Sequence, residues 1–197
     1  MVVDTSSAAC SVALIDGDKV IDRRHAVVGR GHAEHLLPMV ESLLAGRRPD
    51  SILVDCGPGS FTGIRVGLAA AHGLAIGWGI EVSGYSSTAL VAAASGAREV
   101  TVALQGGHGE LFVQSFRNDP LAATDALRSL PPAEAAASAQ AELVAGSGAE
   151  ALVKARGHGR ALDTLPDAAD ARLLPPALRS LPARPIYGRA PDARPMA

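Results

Sequence analysis

The residues of this chain best suited to chemistry gather in Gly57-Pro58-Gly59-Ser60-Phe61-Thr62-Gly63-Ile64-Arg65-Val66-Gly67. This glycine-rich turn lies between an apolar strand-like run, Ile52-Leu53-Val54, and a helix of small residues. Such a turn presents free backbone N–H groups and the positive end of a helix to an anion, with Ser60 or Thr62 as the cap. Its spacing matches neither familiar phosphate motif. A P-loop needs Gly-x-x-x-x-Gly-Lys followed by Ser or Thr, and no lysine follows these glycines. Gly57, Gly59 and Gly63 are spaced Gly-x-Gly-x-x-x-Gly, one residue too long for the dinucleotide fingerprint. Spacing leaves open both a nucleotide loop and a structural tight turn.

A second group is His32 and His35, three apart on one predicted helix. Two histidines at that spacing can hold a metal ion, but the sequence places no convincing carboxylate or third histidine with them and their helix otherwise faces a core, so a surface or subunit-contact role is the better reading. Cys10 and Cys56 stand in apolar, strand-like surroundings. They are too few for a disulfide framework, would each need a base to become a thiolate, and read as small buried side chains.

The elements that must position these groups alternate as in an α/β domain. Val2-Val3 opens a strand, and Ser11-Val12-Ala13-Leu14-Ile15 and Lys19-Val20-Ile21-Asp22 form a hairpin about Asp16-Gly17. Residues 32–44 carry a helical stripe of Ala33, Leu36, Leu37, Val40, Leu43 and Leu44, ending at Gly46, with Pro38 inside the pattern. His35, Met39 and Ser42 lie on a second stripe, away from that core face. Residues 63–76 predict another helix in which Gly63, Gly67 and Ala71 recur every four residues and Gly73 and Gly77 follow. Each helical glycine costs about 1 kcal/mol relative to alanine, so a close backbone approach is expected, against the sheet or against another subunit. Ser86-Ser87-Thr88 leads into an alanine-rich helix. Residues 100–104 and 110–116 predict two strands opening a second lobe, and the alanine-, proline- and arginine-rich remainder, 117–184, reads as loop-heavy.

At 197 residues and 48% hydrophobic composition, the chain can bury one substantial core or two small lobes. It has no run long enough to span a membrane and no leader-like N-terminus, which makes a cytoplasmic location the expectation. A net charge of −2 and 3% aromatic residues suit poorly a protein that grips nucleic acid by itself; Arg184, Arg189 and Arg194 only thinly decorate the tail.

Four motifs in order, Asp4-Thr5-Ser6, Ala9-Cys10-Ser11-Val12-Ala13-Leu14, His35-Leu36-Leu37-Pro38-Met39 and the glycine-rich turn, closely resemble the TsaB family, also called YeaZ. The match continues at Gly73-Leu74-Ala75 and Gly84-Tyr85-Ser86-Ser87, and more weakly at Gly109-Glu110-Leu111-Phe112 and Pro185-Ile186-Tyr187-Gly188-Arg189. The resemblance implies an actin-like, ribonuclease-H-like α/β fold of the ASKHA superfamily, with a first lobe at 1–98 and a reduced second lobe at 99–197. It further implies a non-catalytic subunit with no cofactor, which docks a TsaD-like catalytic subunit with a TsaE-like ATPase to make threonylcarbamoyladenosine at tRNA position 37. tRNA would be met only indirectly, no membrane is involved, and the subunit forms a homodimer when alone.

In the resembled family the two helices make the partner contact, which implicates His32, His35, Met39, Ser42, Gly63, Arg65, Gly67, Ala70, Ala71 and Leu74. The nucleotide site looks degenerate. Asp4, Thr5 and Ser6 lead into Ser7-Ala8-Ala9 with no glycine to admit phosphates, and Gln105 stands where relatives commonly carry aspartate. An amide serves as neither general base nor magnesium ligand there. Two competing readings are a small actin-fold ATPase or phosphotransferase using Asp4 and residues 57–63, and a metallopeptidase centred on His32 and His35.

Overall fold

The structure is a computed structural model in which residues 1–188 are described; Arg189 and Arg194 lie outside the described residues. The chain opens with β1 (Val2–Asp4), β2 (Ala9–Asp16) and β3 (Lys19–Val27). The β2–β3 hairpin turns where Gly17 takes φ 57°, the left-handed conformation that glycine tolerates without a Cβ penalty. Helix α1 (His32–Leu44) follows, then β4 (Ser51–Asp55), α2 (Phe61–Trp78) and β5 (Glu81–Tyr85). The sheet runs β3-β2-β1-β4-β5, antiparallel within β3-β2-β1 and parallel across β1-β4-β5.

Leu36, Val40, Leu43 and Leu44 fall on one face of α1 by helical spacing and pack on the sheet beside Ile64, Leu68, Ala71 and Ala75 of α2. Ser60 caps α2 as the sequence allows, its Oγ accepting the Gly63 N–H at 3.2 Å.

Helix α3 (Ser87–Ser95) leads to the second sheet. Its strands are β6 (Glu99–Gln105), β7 (Leu111–Arg117), β8 (Ala122–Ala123), β9 (Arg128–Leu130), β10 (Leu143–Ala145) and β11 (Arg160–Leu162), with α4 (Pro132–Ser138) and α5 (Ala149–Arg156) between the later ones. The order is β11-β10-β6-β7-β8, with β9 on β7. Residues 117–184, read from sequence as loop-heavy, therefore contain four strands, two α-helices and two short 3-10 helices. Strands of two or three residues are too short to show a period of two, which is why they escaped the reading.

One core joins the two sheets. Val2, Ala13 and Tyr85 from the first pack with Leu90, Val91, Val100, Val102 and Phe116, and with Ala168 and Leu174 of the segment after β11. The chain then returns to the first lobe as a strap. Leu181 exchanges two backbone hydrogen bonds with Gly84 on the outer edge of β5 (2.7 and 3.0 Å), and Ile186 N–H donates to the Cys56 carbonyl at 2.7 Å.

Candidate functional site

Asp4 ends β1 and Asp55 ends its parallel neighbour β4, so both carboxyls are delivered to the same end of the sheet, under the glycine-rich turn. They are 0% and 1% exposed. Tyr85 Oη donates to Asp4 Oδ2 at 2.9 Å, and Ser6 N–H to Asp4 Oδ1 at 3.2 Å. Ser6 Oγ lies 2.8 Å from Asp55 Oδ2, Ser87 Oγ 2.7 and 2.8 Å from the two Asp55 oxygens, and Gly57 N–H donates to Oδ1 at 2.6 Å. Burial first, and then the adjoining Asp4 carboxyl, push the Asp55 pKa well above the usual carboxylate range. Burial and the adjoining carboxyl thus favour the neutral form of Asp55. Burial likewise pushes the Tyr85 phenol up.

The turn above this pair is shut. Ser60 N–H donates to the Ser6 carbonyl at 2.6 Å and Thr5 Oγ1 to the Gly63 carbonyl at 2.7 Å. A Cβ at Gly59 would strike the Ser6 carbonyl, one at Gly63 the Thr5 carbonyl, and one at Gly67 the Thr5 hydroxyl. These glycines let α2 lie directly on the β1–β2 turn. Of the two approaches left open by the sequence, Gly63, Gly67 and Ala71 thus serve the one against the chain's own sheet; all three are buried, which corrects their assignment to a partner surface. His32 is corrected in the same way. It is 6% exposed, and its Nε2 lies 2.9 and 3.2 Å from the Ser7 and Ala9 carbonyls, locking α1 to the same turn.

The two carboxyls do not fit a magnesium site, because their oxygens face Ser6, Ser87, Tyr85 and each other. Nor does His32 join His35 as a ligand pair, and among the described residues no group of three His, Cys, Asp or Glu could hold a metal ion.

Between the lobes opens a cleft of about 1120 Å³. The β1–β2 turn and the start of α2 form one wall, and Gln105 with the β6–β7 turn forms the other. Gln105 is exposed there, on the opposite side from Asp4, Thr5 and Ser6, of which only Ser6 reaches the cleft surface. At the mouth, Arg65 stacks over the Phe61 ring (3.4 Å to the centroid) and donates to Tyr187 Oη at 3.1 Å.

The outer face of the helices carries the remaining predicted residues. His35 and Ser42 are exposed, Met39, Ala70 and Leu74 half-buried, and Ser42 Oγ accepts from Arg24 Nε at 3.1 Å. Sequence reasoning passed over Ile76, 83% exposed, and did not separate Gly73 and Gly77, where an added Cβ would meet nothing within 4 Å among the described residues, from the inward glycines. It also missed Asp55, whose signal was its place at the end of an apolar strand just before the turn.

A family model described as TsaD, tRNA N6-adenosine threonylcarbamoyltransferase, matches residues 25–145. The protein called tRNA threonylcarbamoyladenosine biosynthesis protein TsaB is 31% identical over 60% of this chain in Escherichia coli and 38% identical over 48% of it in Haemophilus influenzae. These matches span 55% and 42% of those two proteins, about half of their length. The solved structure of YeaZ from Pseudomonas aeruginosa superimposes with a TM-score of 0.80 at 30% identity, covering 94% of this chain and 97% of that one.

Two sheets around a shared core with a cleft between them make this an actin-like protein of the ASKHA fold. Within that class, the chain belongs to the TsaB family, also known as YeaZ.

Proposed function

We propose that this chain is a non-catalytic scaffold subunit in the threonylcarbamoyladenosine modification of tRNA adenosine 37. On this reading it docks a TsaD-like catalytic subunit, acts with a TsaE-like ATPase, meets tRNA only through them, and pairs with itself when alone. The observation that carries it is the outer face of α2. Among the described residues Gly73 and Gly77 have no neighbour to approach, yet each costs the helix about 1 kcal/mol relative to alanine. They flank Ile76, 83% exposed, while Leu37 of the neighbouring α1 is 52% exposed. A closely packed partner gives these glycines a purpose. The relatives' name, which refers to threonylcarbamoyladenosine biosynthesis, supports the pathway.

The test is gel filtration with the cognate TsaD. The parent chain should co-elute with TsaD, and Ile76→Asp should not, while keeping its circular dichroism. A parent chain that forms no complex, or unchanged tRNA modification when it is omitted, defeats the proposal. The phosphotransferase alternative is disfavoured by the enclosed carboxyls, and titration of magnesium-ATP into the isolated chain is expected to reveal no micromolar site.

A further inference from the structure

The cleft between the lobes is rich in hydrogen-bond donors and lacks anionic side chains. Arg30 and Arg65 line it, and no Asp, Glu or Lys does among the described residues. Neither guanidinium takes part in an ion pair among those residues. Three hydroxyls add to this. Ser7, Ser60 and Ser147 Oγ each accept a backbone N–H, from Ala9 (3.1 Å), Gly63 (3.2 Å) and Gln105 (3.0 Å). Those bonds fix the oxygens in place, and no acceptor for their own protons is present among the described residues. Of the carboxyls nearby, Asp4 and Asp55 are enclosed beneath Ser6, and Glu110, which does not line the cleft, accepts from Ser129 Oγ at 2.6 Å.

The mouth is flat as well as cationic. The Arg65 guanidinium lies on the Phe61 ring, and the Tyr187 ring stands 6.2 Å from Phe61, tilted by 35°. Phe112 lies across the cleft on β7. Guanidinium groups and hydroxyls bind an oxyanion directly, aromatic faces and a stacked guanidinium bind a planar ring, and a divalent cation would require carboxylate oxygens that this lining lacks.

We infer that the cleft binds a small oxyanion, phosphate or carboxylate, joined to a planar ring, and holds it without a divalent cation. Arg65 and Arg30 grip the anionic head, Ser7, Ser60 and Ser147 donate to it, and Phe61 and Tyr187 receive the ring. This site is separate from the outer face of α2 and stands whether or not that face docks a partner.

Calorimetry in EDTA tests it with four probes: phenyl phosphate, adenosine monophosphate, benzoate, and inorganic phosphate as the ring-free control. At least one ring-bearing anion should bind saturably in the millimolar range or tighter, and inorganic phosphate at least about tenfold more weakly. The preferred probe distinguishes a phosphate from a carboxylate ligand, and a small ring from a nucleobase. Arg65→Ala and Arg30→Ala should each weaken binding about tenfold with unchanged circular dichroism, since both side chains lie on the surface. The inference fails if no ring-bearing probe saturates, if binding requires magnesium, if inorganic phosphate binds equally well, or if both variants bind like the parent.

Discussion

Asp55 joins the fold to solution pH. In the unfolded chain its carboxyl titrates in the ordinary range, whereas in the folded chain burial and Asp4 raise its pKa well above that range. Between those two values the folded chain holds a proton that the unfolded chain releases, so stability falls as pH rises through the window. Asp55→Asn, whose amide can face Asp4 as a donor, should keep the fold and flatten that slope. Urea midpoints measured across the window check this, and an undiminished slope in the variant would assign the pH dependence elsewhere. Gly67 makes a steric prediction. A leucine there would be driven into the Thr5 hydroxyl, so Gly67→Leu should lose at least about 2 kcal/mol of folding stability by denaturant unfolding. At this scale the sequence told which residues matter better than what they do. The period of four made Gly63, Gly67 and Ala71 conspicuous, but which element they approach depends on where β1 ends, and no local pattern encodes that. The pairing of Asp4 with Asp55 was equally hidden, since it arises only when two strands distant in sequence lie side by side.

Helix α2 meets two different demands along its length. Its first half, under tight contact with the β1–β2 turn, cannot accept side chains at Gly63 and Gly67, while its second half exposes Gly73 and Gly77 to open space. Neither exposed glycine has a positive φ, so alanine suits the backbone at both. Gly73→Ala and Gly77→Ala should therefore each stabilise the isolated chain by about 0.5–1 kcal/mol, read as a shifted urea midpoint, while weakening co-elution with TsaD. If stability rises and association is untouched, the glycines do not serve docking. The helices themselves were legible, because their apolar residues recur at helical spacing over three turns or more. The β2–β3 hairpin was equally legible from Asp16-Gly17. The short strands and helices of residues 117–162 were not, because the strands are defined by pairing with β6, with β7 or with one another, and the helices are only seven and eight residues long.

The molecule as a whole is held by the core shared between its sheets and by the strap of residues 181–188. Sharing Tyr85, Leu90 and Val100 in one cluster means that neither half buries its own apolar surface alone, and a single unfolding transition is expected by calorimetry. The strap supplies its own readout. Cys56 is 0% exposed, with its thiol pushed up to about 11, chiefly by burial, and Pro182 passes over it with its carbonyl 3.7 Å from Sγ. In a Cys10→Ser background, ending the chain after Ser180 should make Cys56 reactive toward a thiol reagent under conditions where the full chain is inert. Continued protection would show that other residues cover it. The strap also sets an order of events during synthesis. The β5 edge at Gly84 and the Cys56 carbonyl belong to the part of the chain that leaves the ribosome first, but their partners, Leu181 and Ile186, emerge only after the whole second lobe. The N-terminal sheet must wait with an open edge while that lobe is translated, so the interval before strap closure is when the nascent chain most needs protection from pairing with its neighbours.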